Sequence, residues 1–447
     1  MIYDKKVSTF VEKGKKITLF SLAIPLFFEY IFALLYGTAN TLLLSGYSDL
    51  AVSATSVTNE ILGVVTVLIN MVVTGTVIVS SVSLGANDTN RAGGICFTGL
   101  GMVLGISIVF GVIMSVNARF FTDIMNLDGD VQKLAIEYFI IISATFPLTA
   151  LLSFFNQIII CNGYSRFIML SGLCGNVLNV ILCYIVLYTN IALPASKIVC
   201  VAIASVLSKA VNLCIVVLIF FAKKCPINRT INKKTVFDIL RIGIPAGMCL
   251  FSYSLSQTIT TSFVVTLGVT VISAKVYINN IINYTSKIGY SIGQAGGVLM
   301  GRHRGAGDFY SIKKLFNQNI CFAIFFNIVL STVVYIFHKP LLSLFTKDEQ
   351  IVKLAGAIML IDIFVEIGRA INNVAEVALN ANGDVKTTFV FSIATCWLFG
   401  VLLAYILCIK IGLGLVGLWI AFAVNELVKG TAYLVRWKSG KWKTLNV

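Results

Sequence analysis

The sequence predicts an all-α integral membrane protein: twelve transmembrane helices in two pseudo-twofold-related six-helix bundles with a central cleft. Three observations carry this expectation. The 447 residues are 58% hydrophobic and only 12% charged, about half the charged fraction of a soluble domain, so lipid must solvate most of the chain. Apolar stretches of 18 or more residues recur along its length, each long enough to cross a hydrocarbon layer of about 30 Å as a helix. Several landmarks also recur at one constant offset of 220 residues. Strand-type alternation is not found, which excludes a β-barrel and leaves helices, the other structure that satisfies its own backbone hydrogen bonds in lipid.

Hydropathy and helix breakers place six helices near 17–45, 54–82, 93–117, 133–161, 165–188 and 196–222. Six more follow near 238–266, 272–299, 314–338, 349–380, 385–410 and 412–436. Only the segment 223–236, with Lys223, Lys224, Arg229, Lys233 and Lys234, has a sustained polar composition. It is the natural linker, giving an N-terminal lobe over 1–222, a cytoplasmic basic linker over 223–236 and a C-terminal lobe over 237–447.

Lys5, Lys6, Lys13, Lys15 and Lys16 precede the first apolar run. The length of that run and the lack of a small-residue cleavage site predict a retained helix instead of a signal peptide. The N-terminal tail, the even-numbered loops and the C-terminal tail hold 22 Lys and Arg against 8 on the other side, which places both termini in the cytoplasm of an inner-membrane protein. The net charge of +15 therefore reads as a topology signal and not as a nucleic-acid surface. Eleven cysteines without a C-x-x-C pair, mostly inside apolar helices, indicate packing and neither a zinc site nor a disulfide framework.

The repeat is specific because four matches occur in order. Leu22-Ala23-Ile24-Pro25 recurs as Ile242-Gly243-Ile244-Pro245, and Gly85-Ala86-Asn87-Asp88 as Gly305-Ala306-Gly307-Asp308. Lys133-Leu134-Ala135 recurs as Lys353-Leu354-Ala355, and Asn162-Gly163 as Asn382-Gly383. Six helices per repeat is an even number, so both halves enter the membrane the same way, and the cleft between them is where a substrate site is expected.

Residues too polar for packing mark the pathway. In the tenth helix Asp362, Glu366, Arg369, Asn373, Glu376 and Asn380 share one face; each charge at mid-helix costs about 2.5–3.5 kcal/mol on the insertion scale, so this stripe must line protein or water. Its bland reading is a Glu366–Arg369 ion pair that joins helices; the functional one is a transport pathway. The eighth helix carries Asn280, Asn283, Lys287, Tyr290, Ser291 and Gln294, with Lys287 a candidate partner for Glu366. In the first helix Glu29, Tyr36 and Asn40 share a face, and Glu29 is the main N-terminal candidate for ion coupling. Glu60, nearer the outer surface, fits an interfacial role as well as a pathway one. Asn156, Gln157, Asn176, Asn179 and Lys209 add polarity to helices four to six, where interhelical hydrogen bonding is the plainer reading. Pro25 and Pro245 fit either a kink or an ordinary first-turn proline. No H-E-x-x-H, G-x-S-x-G or Walker A sequence is present, so no enzymatic activity or cofactor is expected.

Several segments resemble the multidrug and toxic compound extrusion (MATE) transporters. They are Ile24-Pro25, Gly37-Thr38-Ala39-Asn40-Thr41, Leu44-Ser45-Gly46 with Leu50-Ala51 and Val57, the two Gly-Ala-x-Asp loops, and Glu366-Ile367-Gly368-Arg369-Ala370-Ile371-Asn372 continuing to Gly383-Asp384. The resemblance implies export of cationic or amphipathic organic compounds by alternating access, coupled to inward sodium or proton flow. The ion-coupling candidates are Glu29, Glu366 and Glu376, from the polar faces above, and Asn40, which stands at the helix 1 position the resemblance points to. The expected cleft residues are Tyr36, Asn176, Asn179, Asn280, Asn283, Lys287, Asp362, Arg369 and Asn373. Where many members carry an aspartate this chain has Asn40, which cannot titrate although its carbonyl can ligate sodium. Expected partners are a small-molecule substrate and membrane lipid, with the protein itself a monomer. A lipid-linked precursor flippase of the same superfamily is the alternative, and a receptor or enzyme without transport has no motif in its favour.

Overall fold

The structure, a computed structural model, describes residues 9–12, 15–125, 129–189, 196–343, 345–346 and 348–445. Lys5, Lys6 and Lys13, counted above toward topology, lie outside the described residues. Two strands come first, β1 (Thr9–Glu12) antiparallel to β2 (Lys15–Thr18). This corrects the expectation of no strands: Thr9, Phe10, Val11, Ile17 and Thr18 favour β structure, but the interleaved charges made them read as a basic tail. Thr18 and Ser21 then exchange backbone-to-hydroxyl bonds of 2.9 and 3.1 Å, which satisfy free N–H groups at a helix start.

The first repeat supplies α1 (Leu19–Ser45), α2 (Asp49–Gly85), α3 (Thr89–Val116), α4 (Ala118–Ile124), α5 (Gly129–Ala144), α6 (Phe146–Cys161), α7 (Ser165–Tyr188) and α8 (Lys197–Ala222). The second supplies α9 (Lys233–Val265), α10 (Val269–Gly305), α11 (Phe309–Ile336), α12 (His338–Leu342), α13 (Glu349–Ala381), α14 (Val385–Thr395) and α15 (Gly414–Lys438). α14 continues into π-helical turns over Cys396–Leu403 and Ile406–Lys410. The short α4 and α12 were not anticipated.

Among the described residues nine helices, counting α14 with its continuation, are long and apolar enough to cross a membrane. α5 and α6 add a tenth if they form one span. α10 and α13 are long enough at 37 and 33 residues, but their polar stripes keep them below the apolarity of the others. The expected total of twelve depends on these two. The fourth expected helix, 133–161, is not continuous: α5 and α6 meet at a bend of 50°. Pro147 has no N–H to donate to the Ser143 carbonyl, and the Thr145 hydroxyl turns back onto Ile141 O at 2.8 Å.

Element lengths follow the repeat. α2 and α10 each have 37 residues, and α3 and α11 each have 28. The loops match in atomic detail: Asp88 accepts from Arg91 N at 2.8 Å and Asp308 from Ser311 N at 3.0 Å, capping α3 and α11. Asn162 and Asn382 each donate Nδ2 to the carbonyl four residues back at 2.8 Å, and the glycines that follow have φ of 81° and 87°.

The chain forms two compact units, one of residues 28–80 and 88–243, the other of residues 81–87 and 244–447 with the chain up to Phe27. In the first unit the basic segment packs on the start of α3, where Asn228 Nδ2 donates to Asn90 Oδ1 at 3.3 Å. In the second unit α13 is central and packs against α10, α11 and α15. There the ends of α2 and α10 touch backbone to backbone: a Cβ on Gly85 would collide with Arg302, and one on Gly305 with the Val82 carbonyl.

Candidate substrate and ion site

A charge inside a lipid-solvated bundle is tolerated where it faces protein or water. The second unit gathers seven such residues. Lys287, Asp362, Arg369, Glu376, Glu426 and Lys429 line a cavity of about 530 Å³ bounded by α9, α10, α13, α14 and α15. Glu366 lies behind the wall, fully buried.

Two clusters hold the wall together. Arg369 donates to one Glu366 oxygen, and Asn327 on α11 donates Nδ2 to the other at 2.8 Å and to the Glu366 carbonyl at 3.3 Å. Both carboxylate oxygens are thereby satisfied. A Cβ on Gly289 of α10 would lie 2.7 Å from Asn327 Oδ1, so glycine leaves room for that amide. In the second cluster Asn372 donates to a Glu426 oxygen and to the Glu426 carbonyl, while Lys429 Nζ lies 3.5 Å from Glu426 Oε2. A Cβ on Gly368 would lie 2.8 Å from Glu426, so α13 and α15 approach closely at this point. Asp362, further along α13, accepts from Trp419 Nε1 at 3.2 Å.

The stripe on α13 therefore divides. Asp362, Arg369, Asn373 and Glu376 face the cavity, Glu366 anchors α11, and Asn380 accepts from Thr388 Oγ1 at 2.6 Å and anchors α14. The expected Lys287–Glu366 pair does not form, because Arg369, one turn along the same helix, occupies that carboxylate. Lys287 faces the cavity with its ammonium 5.9 Å from the Tyr290 ring centre, and no carboxylate lies within ion-pair distance among the described residues. Asn283 lines the cavity as expected, but Asn280 is exposed and lies off it, with Asn279 in its place. Asn279, Asn283, Ser286, Lys287 and Tyr290 follow one helical face; Asn280 stands at its edge, about 100° from Asn279 and about 20° beyond Lys287 in projection.

Glu426, Lys429, Asn425 and Asn327 escaped the sequence reading. The signal was available: Glu426 and Lys429 are two charges three residues apart inside an apolar helix, the same pattern as Glu366 and Arg369. Some acceptors in this wall have no donor. The amide oxygens of Asn372 and Asn425 are buried without a donor, and Glu376 has no ion pair or hydrogen bond among the described residues. Gly400, in the π-helical continuation of α14, completes the wall; such turns are frequent at functional sites.

The first unit is built differently. Glu29, Tyr36 and Asn176 are half-buried, and Glu29 makes no ion pair or hydrogen bond among the described residues. Asn40 Oδ1 is buried with no donor. Asn179 donates to Ser208 Oγ at 2.8 Å and accepts from Cys183 Sγ at 3.4 Å, joining α7 to α8. Lys209 donates to Thr149 Oγ1 at 3.3 Å.

The family model described as MatE matches residues 25–185 and again 245–406, two segments that begin 220 residues apart at Pro25 and Pro245. The chain is 29% identical over 434 residues to the uncharacterized transporter YisQ of Bacillus subtilis (strain 168), covering 96% of this chain and 95% of that one. It is 22% identical over 434 residues to the probable multidrug resistance protein NorM of Thermotoga maritima, with 95% and 92% covered. Among solved structures it is similar to the outward-facing conformation of a multidrug resistance MATE family transporter of the MOP superfamily, with a TM-score of 0.88, 20% identity and 95% and 96% of the two chains covered.

Proposed function

We propose that this chain, which belongs to the MatE family of multidrug efflux transporters, is a secondary active exporter of small cationic or amphipathic organic compounds. It works by alternating access on an inward sodium or proton gradient, as a monomer in the inner membrane with both termini in the cytoplasm. The observation that carries this reading is the cavity in the second unit, an ionisable pocket inside a membrane-spanning bundle. Four carboxylates, Asp362, Glu376 and Glu426 on the wall and Glu366 behind it, stand with three cations, Lys287, Arg369 and Lys429. When all are ionised the excess is one negative charge, which favours a cationic guest.

Arg369 and Lys429 are each engaged by a carboxylate, so the carboxylate of Glu376 is what an entering cation meets. The Glu366–Arg369 pair is the element whose rearrangement changes the charge of the wall. In the first unit the unpartnered oxygen of Asn40 suits a metal cation, whereas the carboxylate of Glu29 suits either ion. One elementary charge crossing 100 mV supplies about 2.3 kcal/mol, more than the ~1.4 kcal/mol needed for each tenfold concentration of a neutral substrate. A lipid-linked precursor flippase would instead need free cations to hold phosphate, and Lys287 alone among the three lacks a carboxylate partner.

The test is transport in proteoliposomes with sodium and proton gradients imposed separately against cationic, neutral and anionic compounds. Flux of organic cations under one gradient is expected, and Glu366→Gln should abolish it while leaving folded protein in the membrane. Full activity in that variant removes Glu366 from the mechanism; transport confined to lipid-linked phosphates replaces the reading with the flippase.

A further inference from the structure

A second hollow lies apart from that cavity. It is a groove of about 640 Å³ along α14 and α15. Most of its wall is apolar, with Phe391, Leu427, Val428 and Val435 facing it, and Val435 is 64% exposed. Its far end is polar and basic, formed by Arg436, Ser439 and Lys441. An exposed apolar groove in a membrane protein faces lipid, and a cationic end at the close of a spanning helix faces headgroups.

That end is built, not trailing. Asp384 fixes Arg436 by accepting from Nε and, at 3.2 Å, from Nη2, which leaves Nη1 with no partner among the described residues. Beyond α15 the chain turns back at Gly440, with φ of 70°. Trp442 then tucks beneath the helix end, fully buried, donating Nε1 to Trp437 O at 3.0 Å and stacking on the Trp437 ring at 4.3 Å. Arg304 donates to the carbonyls of Lys443, at 3.1 Å, and Leu445. Lys441 is thus held at the mouth of the groove. The walls are joined at the same end by Tyr433, which donates to Thr388 O at 3.0 Å.

We propose that this groove binds one anionic phospholipid, with the phosphate on Arg436 and Lys441 and an acyl chain along Phe391, Val428 and Val435. Charge complementarity selects the occupant: Arg436, Lys438 and Lys441 stand against the single carboxylate of Asp384. The apolar wall requires a chain as well as a phosphate, and the lipid around the protein supplies both. The site stands independently of what the protein exports.

The test is native mass spectrometry of the full chain, delipidated and titrated with phosphatidylglycerol, phosphatidylcholine or glycerol 3-phosphate. One phosphatidylglycerol should bind in preference to phosphatidylcholine, and glycerol 3-phosphate should not bind. Each cation near a headgroup contributes about fivefold, so Lys441→Glu should weaken phosphatidylglycerol by about tenfold or more and leave phosphatidylcholine unchanged. Val435→Trp, at a position open enough to accept the ring, should weaken both lipids by obstructing the chain. Equal binding of the two lipids, an unaltered preference in Lys441→Glu, or full binding in a Val435→Trp protein with wild-type thermal stability overturns the proposal. Tight binding of glycerol 3-phosphate would show a phosphate site and equally overturn it.

Discussion

In the first repeat, residues 129–161 fold as two helices bent by 50°; in the second, the equivalent residues 349–381 form the single helix α13. At the break the first repeat reads Phe146-Pro147-Leu148-Thr149, where α13 reads Glu366-Ile367-Gly368-Arg369. One copy has no backbone donor at the break and no charge there, while the other has the donor and an ion pair. The partners changed with them. Lys209 meets the hydroxyl of Thr149, whereas its counterpart Lys429 meets the carboxylate of Glu426. The loops did not diverge in this way, since their caps and turns answer to backbone geometry that both copies share. The two repeats thus agree in how the chain turns and differ in what their interiors carry.

The sharpest way to break this contrast is to leave a charge alone in α13. Arg369→Leu strands Glu366 beside Asn327 and should cost about 3–5 kcal/mol, read as a large fall in thermal unfolding midpoint. Adding Glu366→Gln should recover much of that loss, and a double variant as unstable as the single one would show that the charge is not the cause. Next in size, Ile367→Pro moves the proline of the first repeat into the second, where an interior proline should cost about 3 kcal/mol. Pro147→Ile, in the first turn of α6, should change stability by less than about 1 kcal/mol; similar losses in both would mean that α13 has a latent hinge.

Smaller effects test the sameness of the loops. Gly163→Ala and Gly383→Ala place a side chain in the left-handed region and should each cost about 1–2 kcal/mol, by equal amounts in the two repeats. Least of all, Asp88→Ala and Asp308→Ala should each cost about 1 kcal/mol of cap. For Asp308, burial raises the carboxyl, but bonds from Ser311 and the proximity of His303 outweigh it and hold the group below its ordinary value. Its contribution is therefore present above the unfolded value, near pH 3.9, and is lost as pH falls through the lower folded value. Unfolding midpoints of wild type and Asp308→Ala should converge only in strong acid.

Much of the site was legible because its signals are local. The spacing of Asp362, Glu366, Arg369, Asn373 and Glu376 fixes one helical face, and apolar surroundings make a polar face conspicuous. The Lys287–Glu366 pairing failed because spacing says which side of a helix a residue occupies and not which neighbour reaches it first. Glu426 and Lys429 are less conspicuous, because two charges within the last helix make no long polar stripe. Asn280 stands at the edge of the eighth helix's polar face, and spacing does not say how far round that face a cavity extends.

The sequence by itself determined the membrane class, the helical architecture and the two repeats, since composition, apolar length and a constant offset are properties of the chain read in one dimension. It marked the paired loops as well, because Gly-Ala-x-Asp and Asn-Gly recur at that offset, while their caps appear only in the structure. Only the tertiary structure decided which carboxylate each cation meets, where Pro147 bends a helix and how Trp442 folds the last residues beneath α15. Those outcomes depend on how closely neighbouring backbones approach at Gly289 and Gly368 and on which buried donor finds an acceptor first, and neither is written in the spacing of any one segment.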